Sequence, residues 1–175
     1  MDEFLRLSDL LRPGYSATLG QANGTELGQH FKISAGAVPK FITNIYSKYL
    51  GTRSSTANQA MMDFIPGYRL IHVEELLHEW QVVHHRHDQP TCFPFLANYS
   101  SDHICWCNGE IVDSSSEQDS PELLHQSEAS FFQTIEEFYR QKVYFLDADG
   151  YLDYDFDEQG RIGAALNPGV GYWLE

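Results

Sequence analysis

Apolar and polar residues alternate most clearly along residues 93–107, whose sequence is FPFLANYSSDHICWC. Two mostly apolar stretches flank a polar turn at 98–102. In the second stretch Ile104 and Trp106 form an apolar side, which indicates a strand that lies on a core. The alternating positions form a second, chemically different side: His103, Cys105 and Cys107. The pattern predicts a central β-hairpin.

Four other segments repeat apolar residues at intervals of three and four positions, which is typical of one face of an α-helix. Pro39 suits the first turn of one of them, because its missing N–H would be unpaired there in any case. Ser130 and Gln133 have capping-box spacing at the start of another. The predicted helices span 2–12, 39–50, 73–85 and 130–141. Residues 26–37 are ambiguous between helix and strand.

Short apolar segments joined by turn residues occupy much of the remaining chain. Asn108-Gly109 and Asp149-Gly150 are strong hairpin signals, because these residue types accept the positive φ that such turns need. The further predicted extended segments lie at 61–65, 68–71, 110–113, 123–125, 143–146, 151–156 and 162–166. We therefore predict that residues 1–175 form a single α+β domain, with a mostly antiparallel sheet and helices packed on one side.

The balance of charge limits the classes of partner. The 175-residue chain has 11 basic and 25 acidic residues and a net charge of −14. A chain with this balance repels nucleic acid and anionic membranes and attracts basic partners. The alternative explanation is that the acidity serves solubility alone.

Three further features predict a cytoplasmic protein. No apolar run reaches the roughly 18 residues needed to cross a bilayer. The N-terminus, MDEFLRLSDLLRPG, lacks the basic start and apolar core of a secretory signal. Three cysteines, an odd number, fit a reducing compartment better than a disulfide framework.

Acidic residues are concentrated near the predicted strand at 151–156. Three aspartates alternate there with apolar residues, so they would share one face of the strand. Such a face either protects a sheet edge from aggregation or binds a basic partner. The candidate partner-binding residues are Asp147, Asp149, Asp153, Asp155, Asp157 and Glu158.

Two sets of His and Cys residues are candidate metal ligands. The first lies at the end of a predicted helix, where the alternative is a favourable interaction with the helix dipole: His84, His85 and His87. The second lies on one side of a predicted strand, with Cys92 able to join from the neighbouring strand: His103, Cys105 and Cys107. Same-side residues of a strand are about 6.6 Å apart, so they converge poorly on one zinc ion. We favour buried, free cysteines over a metal site.

Other patterns that carry chemistry are weak or missing. Residues 145–156 resemble a calcium-binding loop around Asp147 and Asp149, but phenylalanines stand at the first and last ligand positions, so a hairpin turn explains the segment better. The chain has no Gly-x-Ser-x-Gly, no phosphate-binding glycine loop and no His-Glu-x-x-His. We therefore predict a protein that is not an enzyme and needs no cofactor, with a small metal- or Cys/His-dependent hydrolase as the distant alternative.

A succession of short motifs over roughly residues 35–140 resembles the SUKH superfamily. Its pieces occur in the expected order: AVP at 37–39, IPGYRL at 65–70, VEE at 73–75, PF at 94–95, SDHICW at 101–106, SF at 130–131 and IEEF at 135–138. The resemblance implies a noncatalytic α+β domain. In bacteria, such domains bind and neutralise a toxin, often one that attacks nucleic acid.

The function that we expect is therefore that of an immunity protein, whose partner is a cognate, basic toxin. The acidic composition suits this role independently, because an enzyme that attacks nucleic acid must present cationic groups to its substrate. The main alternative within the same resemblance is a regulatory interaction module like the fungal regulators of cell-wall synthesis.

Overall fold

The computed structural model describes residues 1–31, 38–87 (the backbone only at His87) and 91–174. Within these residues the helices are α1 (Asp2–Leu11), α2 (Tyr15–Thr18), α3 (Glu26–His30), α4 (Lys40–Tyr46), α5 (Leu76–His87), α6 (Glu128–Arg140) and α7 (Phe156–Leu166). The strands are β1 (Asp63–Ile65), β2 (Tyr68–Leu70), β3 (Cys92–Ala97), β4 (His103–Cys107), β5 (Glu110–Ser114), β6 (Glu122–His125), β7 (Tyr144–Leu146) and β8 (Leu152–Tyr154). Two short 3-10 helices lie at Gln59–Met61 and Gly171–Leu174.

Strands β1 to β6 form one antiparallel sheet in chain order, and β7 pairs with β8 in a separate two-stranded sheet. Phe93 lies opposite Trp106 in the register of β3 and β4, so the predicted central hairpin is confirmed. Asn108 and Gly109 have φ values of +54° and +99°, as the predicted tight turn requires. Together with the helices packed against the sheet, this arrangement confirms the predicted single α+β domain.

Strand β4 is covered on both of its faces. Val83 of α5 packs with Cys105 and Cys107, while Ile104 belongs to the main core. The indole N–H of Trp106 donates to Glu128 of α6 at 2.8 Å. Helices α5 and α6 therefore contact alternate residues of this strand.

The main core is aromatic and is closed by the N-terminal helices. Phe95 makes edge-to-face contacts with Phe41 and Phe131, at centroid distances of 5.1 and 5.6 Å. At the end of α1 the buried guanidinium of Arg12 lies 3.9 Å from the ring centroid of Tyr15 and donates to the backbone oxygen of Asp63 at 2.7 Å. These contacts fix α1 and α2 against the sheet. No helix of the described residues is long and apolar enough to cross a membrane.

The C-terminal part differs most from the predicted elements. Residues 156–166 form helix α7, so the prediction of strands up to Phe156 and from 162 to 166 is wrong. Asp155 is the N-cap of this helix, and its carboxylate accepts a hydrogen bond from the backbone N–H of Glu158 at 3.0 Å. Gly160 and Gly163 weaken the helical pattern in the sequence, because glycine is a poor helix former.

The remaining differences concern element ends. Helix α6 is confirmed, but its capping box joins Ser127 to Ser130 rather than Ser130 to Gln133. Helices α1 and α5 are confirmed within about three residues, and α4 ends at Tyr46, four residues before the predicted end. In the ambiguous segment 26–37, residues 26–30 form α3 and residues 32–37 lie outside the described part of the chain.

Candidate partner-binding site

Exposed apolar side chains are concentrated in the C-terminal part of the described chain. Among the described residues, Leu10 and Tyr99 are the large exposed apolar residues outside this part. The six within it are Phe145, Leu146, Tyr151, Phe156, Tyr172 and Leu174. Exposed apolar side chains that lie together in space mark interaction sites in folded proteins, whereas scattered ones do not.

Three of these side chains line a groove of about 540 Å³, which we call the C-terminal groove. Phe156 and Leu174 are each 71% exposed, and Tyr172 is 41% exposed. Glu122 and Asp157 add carboxylates to the same groove. Arg161 also lines the groove, but its guanidinium is paired with Glu158 at 2.7 Å. The groove therefore combines apolar surface with two carboxylates and one cation that is already paired.

Local contacts explain why these apolar side chains are exposed. Phe156 is the first residue of α7, directly after the cap at Asp155, so it lies at the outer end of the helix. The terminal 3-10 helix is anchored by Trp173, whose indole N–H donates to the backbone oxygen of Leu124 at 2.7 Å. The buried Trp173 leaves its neighbours Tyr172 and Leu174 at the surface.

The structure places the six predicted acidic residues in the β7–β8 hairpin and at the start of α7, and it separates the three aspartates that were predicted to share one strand face. Asp147 and Asp149 lie in the turn between β7 and β8, where the Asp147 carboxylate accepts hydrogen bonds from the backbone N–H groups of Asp149 and Tyr151. Asp153 lies in β8 opposite the exposed Phe145. The calcium-loop alternative is thereby replaced by a hairpin, as we expected.

The other three acidic residues belong to the start of α7. Asp155 caps the helix, and Glu158 forms an ion pair with Arg161 at 2.7 Å that lowers the pKa of Glu158. Asp157 is exposed and lines the C-terminal groove. The predicted acidic ladder along a strand is therefore wrong in geometry, because the chain turns into a helix at Phe156.

A smaller pocket of about 110 Å³ opens beside Tyr172, and we call it the aromatic pocket. The residues of its lining that keep some exposure form what we call its mouth: Ile65, Pro66, Tyr68, Asp113, Tyr154, Gln159 and Tyr172. Buried residues form its floor: Ile104, Leu124, His125, Phe131, Phe138 and Trp173. Gln159, Tyr172 and Trp173 line both the pocket and the C-terminal groove, so the two are adjacent.

Asp113 gives the aromatic pocket its charge. Its Oδ1 atom is buried and has no hydrogen-bond partner among the described residues. Burial, with the nearby carboxylates of Asp102 and Glu122, raises the pKa of Asp113 to about 6. The group is thus mostly ionised at neutral pH, and its charge is poorly solvated.

His125 makes the floor of the aromatic pocket neutral. Burial lowers the pKa of His125 to about 4. The amide nitrogen of Asn167 donates to Thr134 and Gly163, so its oxygen accepts the hydrogen bond from Nδ1–H of His125 at 2.9 Å. The imidazole therefore contributes no positive charge that would offset Asp113.

The first candidate metal set, at the end of α5, is engaged in other contacts. His84 stacks on Trp80 at a centroid distance of 5.0 Å. Nδ1 of His85 lies 2.6 Å from the backbone oxygen of Gln81. The side chain of His87 lies outside the described part of the chain. Within the described residues, no three His, Cys, Asp or Glu side chains are placed to hold a metal ion.

The second candidate set contains a disulfide that the sequence analysis did not predict. Cys92 and Cys107 are bonded to each other across β3 and β4, with their Cα atoms 4.3 Å apart. The interpretation of the cysteines as free is therefore wrong for these two and confirmed for Cys105, which is buried. The disulfide does not show the compartment, and the cytoplasmic location stays a prediction.

His103 belongs to a buried ionic network that joins α5 to the sheet. Its Nε2 atom lies 2.8 Å from the carboxylate of Glu79, and this contact lowers the pKa of Glu79. The buried guanidinium of Arg69 pairs with Glu75 at 2.8 Å and lies 3.6 Å from Glu79. These contacts satisfy charges at the helix–sheet contact, which is a structural role.

The groove and the pocket were missed in the sequence because their residues come from distant elements. Tyr68, Asp113 and Tyr172 lie in β2, β5 and the terminal 3-10 helix. The available signal was the run Gly171 to Leu174, where aromatic residues follow a turn at the end of the chain. No known protein family matches the chain, and no curated protein matches it either.

Proposed function

We propose that this chain is an immunity protein that neutralises a basic toxin by binding it through the C-terminal groove, without catalysis. The observation that carries the proposal is the combination of exposed aromatic side chains and carboxylates in one groove. The toxin as partner comes from the resemblance to the SUKH superfamily. The net charge of −14 supports a basic partner.

The apolar side chains of the groove supply affinity. Phe156 and Leu174 are largely exposed in the unbound chain, so a partner that covers them removes apolar surface from water. Burial of one such side chain is worth about 1.5–3 kcal/mol. Aromatic residues with this exposure are typical of the few positions that carry most of the binding energy of an interface.

The carboxylates supply attraction at longer range and selectivity. Asp153 and Asp157 are exposed, and Asp157 lies in the groove itself. Complementary charge raises association rates and disfavours partners of the same sign. An enzyme that binds nucleic acid presents the complementary, cationic surface.

Growth of cells that express the toxin tests this proposal. Where a neighbouring gene encodes a protein that ends in a small basic domain, that domain is the candidate toxin, and it is expressed under an inducible promoter with and without this chain. We expect growth to be restored by the wild-type chain and by Leu10→Ala, and restored poorly by Phe156→Ala. Leu10 is a matched control because it is 70% exposed on α1, outside the groove.

Two results would contradict the proposal. If the wild-type chain does not restore growth, the neighbouring gene product is not neutralised and the assigned role is wrong. If Phe156→Ala protects as well as the wild type, the interface lies elsewhere. Equal amounts of folded protein, checked by circular dichroism and immunoblotting, are required for the comparison.

A further inference from the structure

We propose that the aromatic pocket receives a positively charged side chain, the guanidinium of an arginine or the ammonium of a lysine, from the protein that occupies the C-terminal groove. This inference rests on the proposed function for the source of the side chain. The evidence for the cation site itself comes from the walls of the pocket.

The size of the pocket suits the end of one side chain. Its volume is about 110 Å³, whereas pockets for drug-sized ligands are roughly 300–1,000 Å³. An apolar protein cavity of about 150 Å³ admits one benzene molecule. A planar guanidinium or an ammonium with its last methylene groups is of comparable size.

The mouth of the pocket attracts cations. Three tyrosines, Tyr68, Tyr154 and Tyr172, line the pocket together with Asp113. Aromatic faces attract organic cations, by about 0.5–2 kcal/mol depending on how far the cation is desolvated. Asp113 lines the pocket, so a cationic group there would also lie beside its carboxylate.

No basic side chain of the described residues already neutralises this carboxylate. Arg86 is the basic residue that acts on Asp113 electrostatically. Its guanidinium donates to the backbone oxygens of Ser114 and Ser101, at 2.7 and 2.8 Å. The carboxylates of Asp102 and Glu122 add negative charge near Asp113. A buried, unpaired charge is costly, so a ligand that pairs with it gains affinity.

The chemistry of the pocket walls disfavours anions and hard metal ions as ligands. The carboxylate of Asp113 repels anions, and His125 on the floor provides no positive charge to bind them because its imidazole is neutral. A hard metal ion such as calcium needs six to eight oxygen ligands, whereas Asp113 is the one carboxylate among the described residues that line the pocket. A flat, partly apolar cation matches both the rings and the carboxylate.

The position of the pocket indicates that the cation belongs to a bound protein. Tyr172 and Gln159 form a wall shared by the pocket and the C-terminal groove. A segment that lies in the groove over Phe156 and Leu174 can therefore extend a side chain past Tyr172 into the pocket. The binding energy of the groove would hold the side chain in place.

Binding of small probes to the full chain tests the inference. The probes are N-acetylarginine amide, N-acetyllysine amide, choline and the uncharged N-acetylcitrulline amide, each titrated by NMR. We expect both side-chain amides to shift the signals of the tyrosines at the mouth, and the citrulline amide to bind at least about tenfold more weakly, because it lacks the charge. The variant Asp113→Asn should lose about tenfold in affinity for the cationic amides, while Asp119→Asn, at an exposed loop position, keeps it.

The outcomes separate the pocket from the proposed function. Equal affinity for citrulline and arginine amides, or unchanged affinity in a folded Asp113→Asn variant, overturns the cation site. Choline binding that is much tighter than that of both amides overturns the assignment to a protein side chain. If the chain binds the cations but neutralises no toxin, the cation site is supported and the proposed function is contradicted. If the chain neutralises the toxin but binds no cation, the proposed function is supported and the cation site is contradicted.

Discussion

At the scale of single residues, Gly163 controls the packing under the C-terminal groove. A Cβ atom at this position would overlap the ring of Trp173, which packs directly on the backbone of α7. At Gly160, in the same helix, a Cβ atom would meet nothing within 4 Å. Substitution of the two glycines by alanine is therefore expected to change the stability of the protein in opposite directions.

We expect Gly163→Ala to destabilise the protein by about 1–3 kcal/mol, the usual cost of overpacking. Gly160→Ala should be neutral or stabilising by up to about 1 kcal/mol, because alanine is the better helix former. Urea unfolding followed by tryptophan fluorescence measures both. Equal stability of the two variants would show that Trp173 does not lie on Gly163.

Asp113 is expected to reduce the stability of the free protein. Its folded pKa of about 6 lies above its ordinary value of 3.8, so the folded chain binds this proton more readily than the unfolded chain. The cost is present above pH 6 and is relieved as the pH falls through 6 towards 4. Asp113→Asn should therefore stabilise the protein, by about 1–2 kcal/mol near pH 7.5.

The pH dependence distinguishes this cause from a general effect of the substitution. The stability difference between Asp113→Asn and the wild type should shrink between pH 7.5 and pH 5, as measured by urea unfolding. A variant that is less stable than the wild type at both pH values would mean that the carboxylate is well paired in the free protein.

At the scale of elements, the disulfide fixes the central hairpin at its open end. Cys92 and Cys107 are 15 residues apart in the sequence. A cross-link that closes a loop of this length stabilises the folded state by about 3 kcal/mol, because it lowers the conformational entropy of the unfolded chain. Reduction should lower the free energy of unfolding by about this amount.

The variant Cys92→Ser with Cys107→Ser is the control, because its stability should not respond to reductant. A wild-type unfolding midpoint that is unchanged by reductant would contradict the disulfide. Alkylation of thiols in intact cells, before purification, would also report the redox state in the native compartment. A cytoplasmic protein is expected to have these two thiols reduced there.

The sequence predicts elements well where the local pattern is strong. The β3–β4 hairpin and the Asn108-Gly109 turn follow from alternation and from residues that accept positive φ. Helix α7 was missed because its two glycines and the alternating aspartates before it suggest a strand. The cap at Asp155 was a usable signal, since aspartate three residues before glutamate is typical of a helix start.

The candidate site was harder to predict than the elements. Three of the six predicted acidic residues lie where the chain enters α7, and of the six Asp157 lines the C-terminal groove, so the predicted strand geometry was wrong and the role in partner binding stays a prediction. The sequence does not mark Phe156 and Leu174 as exposed, since an apolar residue at a surface looks the same as one in a core. The aromatic pocket depends on tertiary packing of β2, β5, β8 and the terminal helix.

At the scale of the whole molecule, charge and apolar surface have separate effects on binding. Under the proposed function, the net charge of −14 attracts the basic toxin at long range, and the C-terminal carboxylates orient it. Reversal of Asp153 and Asp157 to lysine changes the net charge from −14 to −10, by two units per residue. Reversal of Glu110 and Glu117 makes the same change in net charge at exposed positions elsewhere.

Stopped-flow binding of the purified chain to the toxin that it neutralises in the growth assay tests the central claim most directly. At low ionic strength we predict association about tenfold slower for Asp153→Lys with Asp157→Lys than for the wild type. We predict a smaller loss for Glu110→Lys with Glu117→Lys, and faster dissociation for Phe156→Ala. Added salt should reduce these differences in association rate. Identical association rates for the two double variants, or no binding by the wild type, would contradict the account.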